Sequence, residues 1–162
     1  MSGVKIRAAD LARDKPVLLS FIDGLQAFEH RFEADRRLDA TVAAEHFAKL
    51  ERELAEKGGA IFVAEGADGA ALGWSVVHEN QLPGFVVEAE RRTAYIAELY
   101  LVEAARGRGA GRALIAACED WAKARGIGSV MIGVLAGNMH AHAVYARAGF
   151  ADYAIELRKK LS

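Results

Sequence analysis

The chain has 162 residues, 52% of them hydrophobic and 27% charged, which is ordinary composition for one globular domain. A disordered tail, a collagen-like fibre and a multidomain assembly are not expected, and a chain this long buries roughly 70% of its unfolded surface without a disulfide or metal staple. With 21 basic against 22 acidic side chains, a net charge of -1, there is no excess positive charge to hold a phosphate backbone, so nucleic acid is not an expected partner. The lone Cys118 cannot bridge internally. Charges near Met1 sit where a signal peptide needs apolar residues, and no apolar run reaches the length of a membrane span. The expectation is a soluble cytoplasmic protein without a membrane partner. Two prolines and the absence of repeats or low-complexity stretches suggest one domain over residues 1–162.

In chain order, Val4 to Arg7 alternates like a short strand, and Ala9 to Phe28 follows as a helix carrying Leu11, Leu18, Leu19, Ile22 and Leu25. The charged stretch from Glu29 to Asp39 breaks the pattern. A second helix runs from Thr41 to Lys57 and stops at Gly58-Gly59. Ala60 to Glu65 and Ala71 to His78 flank the turn Gly66-Ala67-Asp68-Gly69 and read as a hairpin. Gln81 to Arg92, with Pro83-Gly84 and Phe85-Val86-Val87, reads as a loop. Thr93 to Val102 is a nearly continuous apolar run, the pattern of a central buried strand. A glycine-rich turn leads from it into a helix with Leu114, Ile115, Cys118, Trp121 and Ala122 on one face, ended by Gly126. Ser129 to Leu135 is another strand, Asn138 to Arg147 a short helix stopped by Gly149, and Phe150 to Leu161 one or two closing strands. Alternating strands and helices with a hairpin predict a mixed α/β sheet.

A buried strand emptying into a glycine-rich turn that opens a helix is an anion-binding arrangement, because free backbone N–H groups converge there. A phosphate-binding P-loop would need Gly-Lys-Ser/Thr at its end, and Gly111 is followed by Arg112-Ala113. A dinucleotide fingerprint would need its last glycine where Arg112 stands and a carboxylate after the next strand, which ends Val134-Leu135-Ala136. What fits is Arg-x-x-Gly-x-Gly, filled by Arg106, Gly109 and Gly111 directly after Glu98-Leu99-Tyr100-Leu101-Val102. A turn whose glycines serve geometry alone is the plain alternative. Farther on, Asn138 is followed seven residues later by Tyr145 and then by Gly149-Phe150.

These two motifs, in this order, resemble the GNAT superfamily of acetyl-CoA-dependent N-acetyltransferases over Ala94 to Phe150, the earlier half only through its order of elements. The resemblance implies a central mixed, mostly antiparallel twisted sheet flanked by about four helices. It also implies acetyl-CoA as acetyl donor and transfer to an amine. In the family the turn grips the coenzyme's pyrophosphate, here Arg106, Gly107, Arg108, Gly109, Ala110, Gly111 and Arg112. The backbone of Leu99, Tyr100 and Leu101 is expected to pair with the pantetheine amides. Asn138 is well suited to capping its helix, and the resemblance adds a bond to the pantetheine arm. Arg108 and Arg112 are equally readable as solvated charges.

Acetyl transfer to an amine needs a neutral amine, a stabilised oxyanion and a proton for the departing thiolate. Glu98, the acidic residue within the apolar central strand, is the candidate base. Neighbours such as Ile96, Ala97, Leu99 and Tyr100 desolvate a carboxylate and favour its taking a proton. A solvent-facing or ion-paired glutamate is the alternative. By resemblance Tyr145 is the general acid, a phenol near 10 giving its proton slightly uphill to a thiolate near 8.5; otherwise it is a buried aromatic. Cys118 lies on an apolar helix face and reads as core, against an acetyl-cysteine route. His140 and His142 point to different sides of a helix, and His30, His46 and His78 are isolated in sequence, so no metal is predicted.

The acceptor is the least legible part. The segments Phe28 to Leu38 and Gln81 to Arg91 mix acidic and basic residues nearly evenly. Trp74 reads as core, Phe85 as core or cleft lining. A small-molecule primary amine is the expectation; a protein N-terminus or lysine, or a non-catalytic coenzyme A sensor, are the alternatives. A homodimer is expected only because such assemblies are common.

Overall fold

The computed structural model describes residues 3–161. Five strands, β1 (Lys5–Ala8), β2 (Gly59–Glu65), β3 (Ala71–Gln81), β4 (Arg92–Leu101) and β5 (Val130–Ile132), form one sheet in sequential order. The first four are antiparallel neighbours and β5 runs parallel to β4, so the sheet is mixed and mostly antiparallel. Five helices accompany it: α1 (Leu11–Glu29), α2 (Val42–Lys57), the single turn α3 (Glu88–Arg91), α4 (Ala110–Lys123) and α5 (Met139–Arg147).

Each face of the sheet is sealed by a different helix set. Leu18 and Ile22 of α1 and Phe47 and Leu50 of α2 pack on Val63, Trp74 and Val76. Ile115, Cys118, Trp121 and Ala122 of α4 pack on Val77, Ala94 and Ile96, with Tyr145 of α5 at the margin. Each Leu, Ile, Val or Phe side chain among them removed from water contributes about 1.5–3 kcal/mol. The apolar stripes of α2 and α4 repeat at three and four residues because only that spacing keeps side chains on one helix face.

β4 does not alternate simply. Val76 of β3 faces Glu98 while the next residue, Val77, faces Ile96, leaving Ala97 as an extra residue in β4. Without this bulge residues 96, 98 and 100 would share one face. With it, Ile96 packs on the α4 side while Ala97 and Tyr100 pack on the α1/α2 side.

Three expectations change. The stretch predicted as loop from Gln81 to Arg92 contributes the last residue of β3, α3 and the first residue of β4, since Glu79 to Gln81 keep pairing with residues 92–94. β5 is three residues long rather than seven, because β4 offers it partners only through Ile96. Phe150 to Leu161 forms no strand: no edge of the sheet in this chain pairs with it, and a strand without a ladder has nothing to satisfy its backbone.

Candidate active site

The short β5 creates the site. β4 and β5 pair at Ala94/Val130, Tyr95/Met131 and Ile96/Ile132 and then separate, so Ala97 to Leu101 lose their neighbour on that side. Alternate residues of a strand present their N–H and C=O groups to one side, so this stretch faces the gap with unused backbone groups. The groove so formed has a volume of about 190 Å³ and is floored by Leu99, Tyr100 and Leu101, with Gly133 to Leu135 along its other wall. Asn138 and Tyr145, seven residues or two turns apart, face it together from α5. A larger cavity of about 520 Å³ lies at the other end of β5 and contains none of the predicted site residues, so size does not select the site.

At one end the groove meets the glycine-rich turn. Gly107 and Gly109 have φ of 72° and 85°, the left-handed region that glycine enters without strain. Gly109 is the N-cap of α4 and supplies no side-chain cap. Within the described residues no acceptor takes the amides of residues 107–112. A row of free donors at the positive end of a fourteen-residue helix suits a diphosphate. Gly111 lines the groove, and a Cβ there would touch Leu101 at 3.4 Å. Arg106 donates from Nε to the Leu101 carbonyl at 3.1 Å, and its guanidinium lies 4.8 Å from the Phe28 ring, tying α1 across the groove.

Tyr145 is half-buried, with Phe150 edge-on at 6.0 Å. Burial and the nearby Glu29 carboxylate push its phenol up to about 12, so it is protonated throughout the neutral range. That departs from the near-even proton balance expected of it. Asn138 caps α5, its side chain accepting from the Ala141 amide at 3.1 Å, and it also lines the groove. The two readings of this residue are therefore compatible.

Glu98 is 7% exposed and does not line the groove, although Ala97 and Leu99 do. The bulge sends its side chain to the α2 face, where Oε1 lies 2.5 Å from His46 Nε2 and Oε2 is buried without a partner. His46 is the residue that sequence reasoning passed over. It sits three residues after Ala43 and four before Leu50, both buried, so its place on the inward face of α2 was readable, but its partner was 52 residues away. The groove thus gathers Leu99, Tyr100, Leu101, Arg106, Gly111, Asn138 and Tyr145. Glu98 stands behind the strand, and Gly107, Arg108, Gly109, Ala110 and Arg112 lie outside the groove lining. Phe28 and Glu29 at the end of α1, the start of the segment Phe28 to Leu38 considered for the acceptor side, complete the wall.

Cys118 is buried, donates to Ser75 Oγ at 3.3 Å and has its thiol pushed up to about 11 by desolvation. A thiol held protonated is a poor nucleophile. Among the described residues no group of three His, Cys, Asp or Glu side chains is placed to hold a metal ion, and no helix is long and apolar enough to cross a membrane.

Residues 25–150 match the family model described as the acetyltransferase (GNAT) family. No curated protein matches the chain. The fold is shared with several solved structures. A tetramutant of the BH1408 protein from Bacillus halodurans superposes with a TM-score of 0.83 at 20% identity, covering 97% of this chain and 99% of that one. A predicted acetyltransferase from Clostridium acetobutylicum, solved with acetyl-CoA, gives 0.74 at 20% identity over 98% and 96% of the two chains. The aminoglycoside antibiotic 6'-N-acetyltransferase from Acinetobacter haemolyticus gives 0.70 at 20% identity over 98% and 99%.

Proposed function

The chain belongs to the GNAT acetyltransferase family, and from that premise we propose that it acts as one domain that moves an acetyl group from acetyl-CoA directly to a primary amine. The observation that carries the reading is the split between β4 and β5, with unused strand backbone on its floor and unpaired amides at the start of α4 at its end. That sequence of donors suits a long ligand with amides in its arm and a diphosphate behind them. The residues of the turn, Arg106 to Arg112, would hold the diphosphate; Leu99 to Leu101 and Asn138 would hold the arm.

In this reading Glu98 takes a proton from the incoming ammonium, directly or through water, while His46 holds the carboxylate in place. Tyr145, protonated at neutral pH, gives its proton to the leaving sulfur. The transfer is direct, in a ternary complex, because the one cysteine is buried and protonated. Acetyl-CoA supplies the activated acyl carbon when bound; the chain supplies position and protons.

The acceptor we assign is a small-molecule amine. Glu98 is recessed beneath α2, and a slim free amine reaches such a carboxylate more readily than a side chain on a flat protein surface does. The deciding experiment has two stages. Acetyl-CoA at about 100 times its Kd adds roughly 2.7 kcal/mol, raising the thermal midpoint where ATP and NADH do not. Turnover is then compared among small amines and peptides for the parent, Glu98→Gln and Tyr145→Phe. Equal rates in all three sink the assignments; binding without turnover of any amine favours a coenzyme A sensor.

A further inference from the structure

α1 carries a glycine in its interior, where glycine is the poorest helix former after proline. Gly24 stands between Phe21 and Phe28 on one face of that helix. A Cβ at Gly24 would lie 2.4 Å from the Tyr100 hydroxyl oxygen and 2.7 Å from its Cζ. Bonded neighbours aside, no Cβ comes that close to another atom, so the tip of the Tyr100 phenol occupies the space that any other residue at 24 would fill.

The ring is held from two further directions. Phe21 packs against it with centroids 5.6 Å apart, and the Arg106 guanidinium lies 5.8 Å from its centroid. Fixed in this way, the hydroxyl has no hydrogen-bond partner among the described residues, and Arg106 gives its Nε to the Leu101 carbonyl instead. Nor is that oxygen sealed from solvent, as Glu98 Oε2 is. Tyr100 lines the groove, as do Leu25 and Phe28 of α1. A helix position given up to seat a phenol, whose hydroxyl no described residue then uses, leaves that hydroxyl for a molecule in the groove.

The face of the strand decides which molecule. Tyr100 projects to the α1/α2 side, the side on which Glu98 meets His46, and the two residues stand two apart, roughly 7 Å along β4. Tyr145 belongs to the cluster on the opposite side. A donor arm following the strand through the gap meets the main chain of residues 99–101, whereas a molecule on the α1/α2 side meets the Tyr100 hydroxyl. We propose that Tyr100 is a specificity residue for the acceptor, and that the acceptor is an amine carrying a hydroxyl a few carbons from its nitrogen, an amino alcohol in class. The phenol donates to that hydroxyl while the nitrogen is directed toward Glu98, and Leu25 and Phe28 flank the carbon chain. The inference rests on the transferase reading above and narrows its small-molecule amine.

Matched amines that differ by one hydroxyl test it: ethanolamine against propylamine, and propanolamine against butylamine. The parent should favour the amino alcohol in kcat/KM by about 3- to 10-fold, the worth of one hydrogen bond between uncharged groups. Tyr100→Phe should bring that ratio to one, chiefly through the KM of the amino alcohol. Gly24→Ala should do the same, because its Cβ displaces the phenol tip. The ratio is taken within each variant, so a general loss of activity or of folded protein cancels, and a purely structural role for the hydroxyl would slow both amines alike. A parent that does not distinguish the pairs, or a preference kept in Tyr100→Phe, overturns the proposal. A parent that acetylates none of these amines would count against the transferase reading on its own. The same pairs are then compared for binding to the coenzyme A-loaded chain by ligand-observed NMR, where a preference for the amino alcohol that Tyr100→Phe abolishes supports the hydroxyl site and the absence of one overturns it.

Discussion

The imidazole of His46 and the carboxylate of Glu98 meet at 2.5 Å across two elements that share no sequence neighbourhood. The contact exists because a one-residue bulge at Ala97 turns Glu98 from the α4 side of the sheet to the α2 side. It leaves Oε1 paired and Oε2 buried without a partner, so the carboxylate is anchored through one oxygen only. A hydrogen bond to a charged group contributes about 1.5–3 kcal/mol.

Removing that anchor tests whether it positions the proposed base, Glu98. His46→Ala is expected to lower kcat by about 10- to 100-fold, the rate equivalent of that energy, and to leave the acetyl-CoA Kd unchanged, since the groove does not include His46. His46→Gln, which can still donate to Oε1, should recover part of the loss. The pH dependence of kcat/KM should change shape in His46→Ala; an unchanged profile with reduced kcat would point to a purely structural role.

Tyr145 makes a different prediction. A phenol pushed up to about 12 loses its proton only as pH rises through that value, so the parent rate should show no fall assignable to Tyr145 up to about pH 10. Giving its proton to a thiolate of ordinary basicity, near 8.5, is uphill by roughly 5 kcal/mol at 1.36 kcal/mol per pH unit. If Tyr145 is the acid, a transfer concerted with departure of the sulfur avoids that uphill step. Tyr145→Phe should lower kcat by about 100-fold, the usual worth of a positioned acid, with acetyl-CoA affinity kept. Steady-state kinetics at saturating donor measure it, and a parent-like kcat refutes the assignment.

Local patterns and long-range contacts were unequally legible. The helices of Leu18 and Leu114 announce themselves because their apolar spacing is a property of a few consecutive residues. The glycine turn and the Asn138/Tyr145 pair were readable for the same reason. Four things were not. The bulge at Ala97 is visible only in the register of β3 against β4, and with it the direction of Glu98. His46 needs that direction before it has a partner. Phe150 to Leu161 carries strand alternation, yet alternation states a preference and not the presence of an edge to join. The early parting of β5 from β4, on which the groove depends, likewise belongs to pairing and not to composition.

The turn that opens α4 can be tested without touching a side chain. Gly109 has φ of 85° and open space where a Cβ would sit, so Gly109→Ala perturbs backbone conformation alone. An L-residue held there costs about 1–2 kcal/mol. The substitution should lower the thermal midpoint and, by letting the turn relax, raise the acetyl-CoA Kd. Gly84→Ala, also in open space but without the positive φ, serves as the control and should change neither. Calorimetric titration of both variants gives the answer, and an unaltered Kd for Gly109→Ala would remove the turn from the binding site.

Far from the groove, Asp14 fixes how β1 and α1 meet. Its carboxylate is nearly buried and accepts from Arg7 at 2.6 and 3.0 Å, from Arg13 at 3.0 Å and from the Asp10 amide at 2.8 Å. The Arg7 guanidinium, which also holds Glu65 at 2.5 Å, is the main reason the Asp14 carboxyl lies well below the usual carboxylate range. An unfolded aspartate titrates near 3.9, so this contribution to stability is fully present above about pH 4 and is lost as pH falls toward the lower folded value. Asp14→Asn leaves Arg7 with Glu65 alone and should cost about 3 kcal/mol at neutral pH, the low end for a broken buried pair. Urea unfolding from pH 7 down to pH 2 should show the parent and variant converging in acid. A gap that stays constant across that range would mean the charge of Asp14 contributes nothing to holding β1 on α1.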